Sequence, residues 1–255
     1  MRKWEDYPKL DGLTNEIANE MTSYAKTMPV AISAEVDFED GVFLGTGSLL
    51  SVERGIFLLT AKHVHDAACG RRMGIGTGPG KSKASAFIGD WSFAPEELDL
   101  ALVEVPTDTV VDRSRILTLS DFGGTSSSEM QMMFMHGFPE FQASKRPSRV
   151  VYAQTLPYLT ASTNCTDTDF TPTVHIAVDY RTSVRSISGA DRKLEGRPKG
   201  MSGCLLWKVN YKSGEPWSPA SATIAAVMHT YHQESNAFYG SRVEKVLDFL
   251  NAHLS

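Results

Sequence analysis

Nine short runs of apolar and β-branched residues constrain this chain more than any other feature. They are VAISAEV (30–36), VFLGTGSLL (42–50), GIFLLTA (55–61), DLALVEV (99–105), QMMFMHGF (131–138), SRVVYAQ (148–154), TVHIAVDY (173–180), CLLW (204–207) and SATIAAVMHT (221–230). Glycine, proline or polar turns separate most of them, the pattern of an all-β sandwich or barrel. The two ends differ. Leu13, Ile17, Met21, Tyr24 and Met28 recur at helical spacing, which predicts an amphipathic helix over 13–28 that Pro29 ends. Val243, Val246, Leu247, Leu250 and Leu254 return to that spacing, and Ser241 with Glu244 reads as a capping box opening a C-terminal helix. The polar stretch SDFGGTSSSE (120–129) is the best linker, and no solenoid-length repeat occurs. The predicted organisation is a helical extension (1–29), a first β unit (30–119), the linker, a second β unit (130–240) and a terminal helix (241–255).

A chain of 255 residues can hold one large domain or two small ones sharing a core. With 42% hydrophobic and 22% charged residues it has the composition of a soluble globular protein. Its net charge of −5 and its lack of a basic run or basic-aromatic stripe argue against nucleic acid as a partner. No apolar run reaches a membrane span, and the N-terminus lacks the apolar core of a signal peptide. Cys69, Cys165 and Cys204 are odd in number and scattered, so the expected compartment is the reducing cytoplasm.

Three stretches carry chemistry. In GRPKGMSGCLLW (196–207) a lone serine, Ser202, sits between glycines just before an apolar run. That string is weak alone, arising by chance in about one chain in ten of this length. In FLLTAKHVHD (57–66) an apolar strand ends and then presents His63, and in EELDLALVEV (96–105) Asp99 stands at the mouth of another strand. Acyl transfer needs these types together. A serine hydroxyl attacks only if a histidine takes its proton, and an aspartate fixes that histidine's tautomer and stabilises the imidazolium. The N–H groups of Gly200 and Ser202 can converge on the developing oxyanion, where losing one donor costs about 3 kcal/mol. The chain order His, Asp, Ser is one of the known orders of such a triad.

LLTAKHV, DLALVEV and GMSGC, in that order, resemble the chymotrypsin-like (trypsin-like) serine peptidases, particularly bacterial intracellular members. GTGSLL (45–50) is similar to their glycine-rich strand, HGFP (136–139) to the strand end opening their second barrel, and the C-terminal segment from Ile224 to their last strands and helix. The resemblance covers about residues 30–254. It implies two six-stranded antiparallel β-barrels with the site between them. His63 is then the base, Asp99 the orienter, Ser202 the nucleophile, and Gly200 with Ser202 the oxyanion hole. No metal or organic cofactor is implied.

The chain departs from that pattern at three places. Met201 stands where digestive members carry the aspartate that pairs with a new N-terminus, so a zymogen switch of that kind is not expected. Control is instead assigned to an activating protein partner or to substrate, acting on the 181–199 loop or the N-terminal helix. Cys204 replaces a glycine and reads as a small buried filler or a redox-sensitive thiol. His229, in VMH, matches a histidine of glutamate-specific relatives, and Arg197 stands where those carry threonine. Either cation, with Thr230 beside the first, could meet an acidic substrate side chain. The expected activity is a serine endopeptidase on protein or peptide substrates. A latent binding or signalling module of the same fold, and an esterase on the same triad, are the alternatives.

Other signals are set aside. GIGTGPGKS (74–82) has Ile75 where a phosphate loop needs glycine. His229 and His232 have helical metal-pair spacing on a strand, with no ligand cluster to complete a site. His65 and Asp66 read as turn residues, His136 and His175 as structural, and the methionines of MQMMFM as core.

Overall fold

The computed structural model describes residues 11–37, 40–76, 85–106, 116–123, 131–145, 151–185, 191–194, 196–211 and 215–254. Helix α1 (Asp11–Ala25) is followed by β1 (Pro29–Asp37), β2 (Asp40–Val52) and β3 (Gly55–Ala61), the short helix α2 (Lys62–Asp66), then β4 (Met73–Ile75), β5 (Ser85–Ala86), β6 (Ile88–Phe93) and β7 (Leu100–Val105). These strands form one antiparallel sheet in the order β5-β4-β1-β2-β3-β7-β6. Its two edges, β5 and β6, are separated in the chain only by Phe87. Counted as one bent strand, β5 and β6 make this a six-stranded sheet, curled into a half-barrel, hereafter the first barrel.

The second half contains β8 (Met132–Gly137), the hairpin β9 (Ala143–Lys145) and β10 (Val151–Ala153), then β11 (Leu156–Thr163) and β12 (His175–Asp179). The hairpin β13 (Ser183–Arg185) and β14 (Asp191–Lys193) follows, then β15 (Leu205–Lys208), β16 (Thr223–His232), β17 (Ala237–Arg242) and helix α3 (Val243–Leu254). Strands β11-β12-β17-β16-β15-β8 close into a six-stranded barrel. The all-β architecture with a helix at each end is as the sequence led us to expect.

The near-continuous apolar runs have a simple cause: alternate residues enter two different cores. On β7, Val103 and Val105 point into the first barrel with Ile32, Leu58 and Ile75. Leu100 and Leu102 point the other way, into a shared core with Leu50, Leu59, Phe134, Leu205 and Trp207. On β15, Leu206 faces the second barrel's interior beside Met133, Met135 and Met228. The methionines read as core at 133 and 135 are fully buried.

Both helices close the shared core. Ile17, Met21 and Ala25 of α1, with Met28, pack there with Val243, Val246 and Leu250 of α3. Each large apolar side chain so buried stabilises the fold by about 2 kcal/mol. Tyr24 meets Trp207 edge-on, with centroids 6.0 Å apart. The described part of the N-terminal extension is thus built into the core. The linker expectation falls mostly on 124–130, outside the described residues, whereas Phe122 is buried and bridges to Ile224.

The capping box at Ser241 is not formed. Ser241 is a fully buried strand residue, and its hydroxyl donates to the Leu98 carbonyl at 2.6 Å. The strand continues to Arg242, so the helix begins two residues after the expected cap. Among the described residues no helix is long and apolar enough to cross a membrane.

Candidate functional site

The site is built where β3 and β7 of the first barrel meet the turn before β15 of the second. Thr60 and Ala61 end β3, and α2 then carries His63 with its ring half exposed. The turn Glu96–Leu98 delivers Asp99 in a left-handed conformation, φ 48° and ψ 47°. Asp99 grips His63 at two points: Oδ1 accepts its backbone N–H at 2.9 Å and Oδ2 accepts Nδ1–H at 2.6 Å. A carboxylate only accepts, so the imidazole proton sits on Nδ1 and Nε2 keeps a free lone pair. Burial pushes the Asp99 carboxyl up, but hydrogen bonds and charge from His63, with a smaller contribution from His229, outweigh it and hold it below its ordinary value.

Ser202 lies on a turn bounded by two glycines with positive φ, Gly200 at 91° and Gly203 at 88°. Thr46 of β2 fixes this turn against the first barrel. Its N–H donates to the Ser202 carbonyl at 3.0 Å, and its hydroxyl donates to the Gly200 carbonyl at 2.8 Å. That hydroxyl also accepts the Phe138 N–H at 2.9 Å, and the Thr60 hydroxyl donates to the Thr46 carbonyl at 2.7 Å. Both threonines are fully buried. Sequence reasoning saw GTG as a glycine-rich strand and missed its threonine; a hydroxyl between two glycines on a buried strand was the available signal.

The Lys199 carbonyl accepts the Glu140 N–H at 2.6 Å, which turns the Gly200 N–H to the opposite side of that peptide. Among the described residues, the N–H groups of Gly200 and Ser202 donate to no acceptor. Two such donors on one tight turn are what an oxyanion requires. The Ser202 hydroxyl itself donates to the His229 carbonyl at 2.9 Å. Its partner is thus a backbone carbonyl, and to act through His63 it would have to rotate onto Nε2.

His229 stands between these groups. Its ring is buried, with Nδ1 3.9 Å from Asp99 Oδ2 and 2.9 Å from the Thr230 hydroxyl. It also faces Phe170 and His175. The ring is turned onto the back of Asp99, and Thr230 is engaged with it. Arg197 is exposed on the approach to Ser202. Met201 is fully buried beside Tyr158, Tyr180 and Phe238, an apolar cluster with no place for a carboxylate. Cys204 is fully buried, and burial pushes its thiol up, which keeps it protonated and unreactive. His65 belongs to α2 rather than to a turn and lies against Trp91 and Phe93, each 4.9 Å away. His232 pairs with Asp167 at 3.0 Å. Among the described residues, no group of three or more His, Cys, Asp or Glu side chains could hold a metal ion.

Two buried histidines set an acid limit. Burial pushes His229 down to about 4, offset only in part by Asp99. His136 is pushed down to about 4 by the same cause, offset in part by the Ala25 carbonyl. Unfolded histidine titrates near 6.5. Between pH 6.5 and 4 the unfolded chain therefore binds more protons. Stability is fully present above pH 6.5 and falls as pH drops, by up to about 2.7 kcal/mol per pH unit for two histidines. His136→Leu should roughly halve that slope in denaturant unfolding between pH 7 and 4.5; an unchanged slope would contradict the assignment.

No family model matches the chain, and no curated protein matches it. One solved structure, from work on aromatic interactions in the coupled folding and binding of the intrinsically disordered Sesbania mosaic virus VPg protein, overlaps 88% of this chain and 90% of its own. It is 14% identical, with a TM-score of 0.46, and at that distance it carries no weight for function.

Proposed function

We propose that this protein is a serine endopeptidase of the chymotrypsin-like kind, cutting through an acyl-enzyme on Ser202. The observation that carries the reading is the two-point grip of Asp99 on His63, set beside a serine turn whose Gly200 and Ser202 N–H groups donate to no acceptor among the described residues. In the reaction Ser202 releases the His229 carbonyl and passes its proton to His63 Nε2 as Oγ attacks the substrate carbonyl. Asp99 stabilises the imidazolium, and the N–H groups of Gly200 and Ser202 receive the oxyanion. His63 then protonates the leaving amine, and water repeats the sequence to free Ser202.

A peptide is favoured over a small ester by the shape of β16. Its pairing with β15 covers Thr223–Val227, whereas its pairing with β17 runs on to His232. Among the described residues, the second edge of 229–232 has no strand beside it, so an extended substrate can add there next to Ser202.

The test is labelling of purified protein with a fluorophosphonate. Labelling confined to Ser202 is expected, absent in Ser202→Ala and at least about a thousandfold slower in His63→Ala, since triad members act as a unit. Well-folded protein that takes no label at any concentration would overturn the reading of an assembled site and favour the latent module.

A further inference from the structure

The triad aspartate belongs to the first barrel, yet its backbone is held by the second. Asp99 is left-handed, a conformation that costs a residue other than glycine about 1 kcal/mol and persists only where its surroundings enforce it. Three consecutive carbonyls of this turn each receive a donor from outside it. Glu97 O accepts from His175 Nε2 at 2.8 Å, Leu98 O from the Ser241 hydroxyl at 2.6 Å, and Asp99 O from the Lys62 N–H at 3.0 Å.

The first two donors come from the second barrel. His175 on β12 and Ser241 on β17 are cross-strand partners, and both are buried. His175 Nδ1 accepts the Thr171 N–H at 3.0 Å, which leaves its proton on Nε2 and makes it a committed donor to Glu97. On the neighbouring strand β16, His229 backs the Asp99 carboxylate itself. One patch of the second barrel thus bonds the two carbonyls that lead into Asp99 and lies against its carboxylate.

We propose that His175 and Ser241 are positioning residues, which set the orientation of Asp99 and through it the tautomer and aim of His63. The proposal deepens the endopeptidase reading and rests on it for its kinetic consequence. Neither side chain touches a reacting atom. Satisfying these two carbonyls is a structural role in itself; a positioning role adds that losing either donor acts through Asp99, which a structural role does not require.

The experiment compares Ser241→Ala, His175→Leu and His175→Gln, the last retaining a donor, in the wild-type and Asp99→Asn backgrounds. One readout is the rate of fluorophosphonate labelling at Ser202. The other is the low-field proton resonance of His63 Nδ1–H, which reports its bond to Asp99 without any turnover. Ser241→Ala and His175→Leu should each slow labelling about tenfold and weaken the resonance, the scale expected when a catalytic group drifts by a fraction of an ångström. His175→Gln should recover most of the rate. In the Asp99→Asn background neither loss should slow labelling further, because the residue they act through is already disabled. Wild-type rates and an unchanged resonance in folded variants would overturn the proposal, as would the same tenfold slowing without Asp99. Should His175→Leu not fold, the smaller Ser241→Ala carries the comparison. If wild-type protein takes no label, the endopeptidase reading fails separately, and the resonance alone decides whether these two residues hold the pair.

Discussion

Gly203→Ala is expected to yield no stable folded protein, whereas Gly70→Ala should express and melt within a few degrees of wild type. Both glycines have positive φ, 88° at Gly203 and 76° at Gly70, so both substitutions carry the left-handed penalty of about 1 kcal/mol. Their surroundings separate them. A Cβ at Gly70 meets nothing within 4 Å among the described residues. A Cβ at Gly203 falls 2.0 Å from the Thr46 carbonyl oxygen and 2.3 Å from the Thr60 hydroxyl. Neither neighbour can give way cheaply. Thr46 is buried on β2 and tied through its N–H to Ser202, and the Thr60 hydroxyl is already bonded to that same carbonyl. Relief would require the Ser202 turn to lift off the first barrel, breaking the contacts that join the two halves. Destabilisation above about 4 kcal/mol is exceptional for one methyl group, and strain combined with a backbone clash is one of the few mechanisms that reach it. Thermal melts of the two variants decide the matter. A Gly203→Ala protein melting close to Gly70→Ala would show that the Ser202 turn is not pinned as described.

This glycine shows which parts of the site were legible in the sequence. Gly203 belongs to the string that drew attention to Ser202, so its position was visible, but its reason was not. The clash is with Thr46, more than 150 residues earlier, and only the docking of two barrels brings them together. The strands were legible because alternate residues on β7 and β15 feed two cores, leaving apolar runs that local pattern reading detects. The positions of His63 and Asp99 were legible because each ends or begins such a run.

What stayed hidden depends on partners across the barrel interface. Ser241 carries a sound local helix-cap signal, yet tertiary structure claims its hydroxyl for Leu98 and keeps the chain in strand up to Arg242. His229 was read by its neighbours in the chain as a residue facing substrate, but its ring is folded in against Asp99. A strand residue alternates between faces, and the bulge between Met228 and Thr230 shifts the register at this point. No count along the strand could have placed that ring. The left-handed backbone of Asp99 is equally invisible, since nothing in EELDL marks a turn whose carbonyls are met by donors from another barrel.

The left-handed backbone also makes Asp99→Asn the sharpest test of the proposed chemistry. Asparagine is among the residues that enter this region most readily, so the substitution keeps φ 48° at no added strain and the fold should persist. Alanine would confuse loss of charge with loss of backbone support. The asparagine side chain has one acceptor and one donor group where the carboxylate has two acceptors. One oxygen can still receive the His63 N–H, as Asp99 Oδ1 does at 2.9 Å, which leaves the amide NH2 facing Nδ1 in place of Oδ2. An amide donor there forces the imidazole to carry its proton on Nε2. That nitrogen can then no longer accept the Ser202 proton, and no carboxylate remains to stabilise the imidazolium. The expected fall in kcat is about ten-thousandfold, with KM little changed, since the aspartate contributes mainly in the transition state. Near-wild-type turnover in a folded Asp99→Asn protein would mean that the grip on His63 is structural and that some other group activates Ser202.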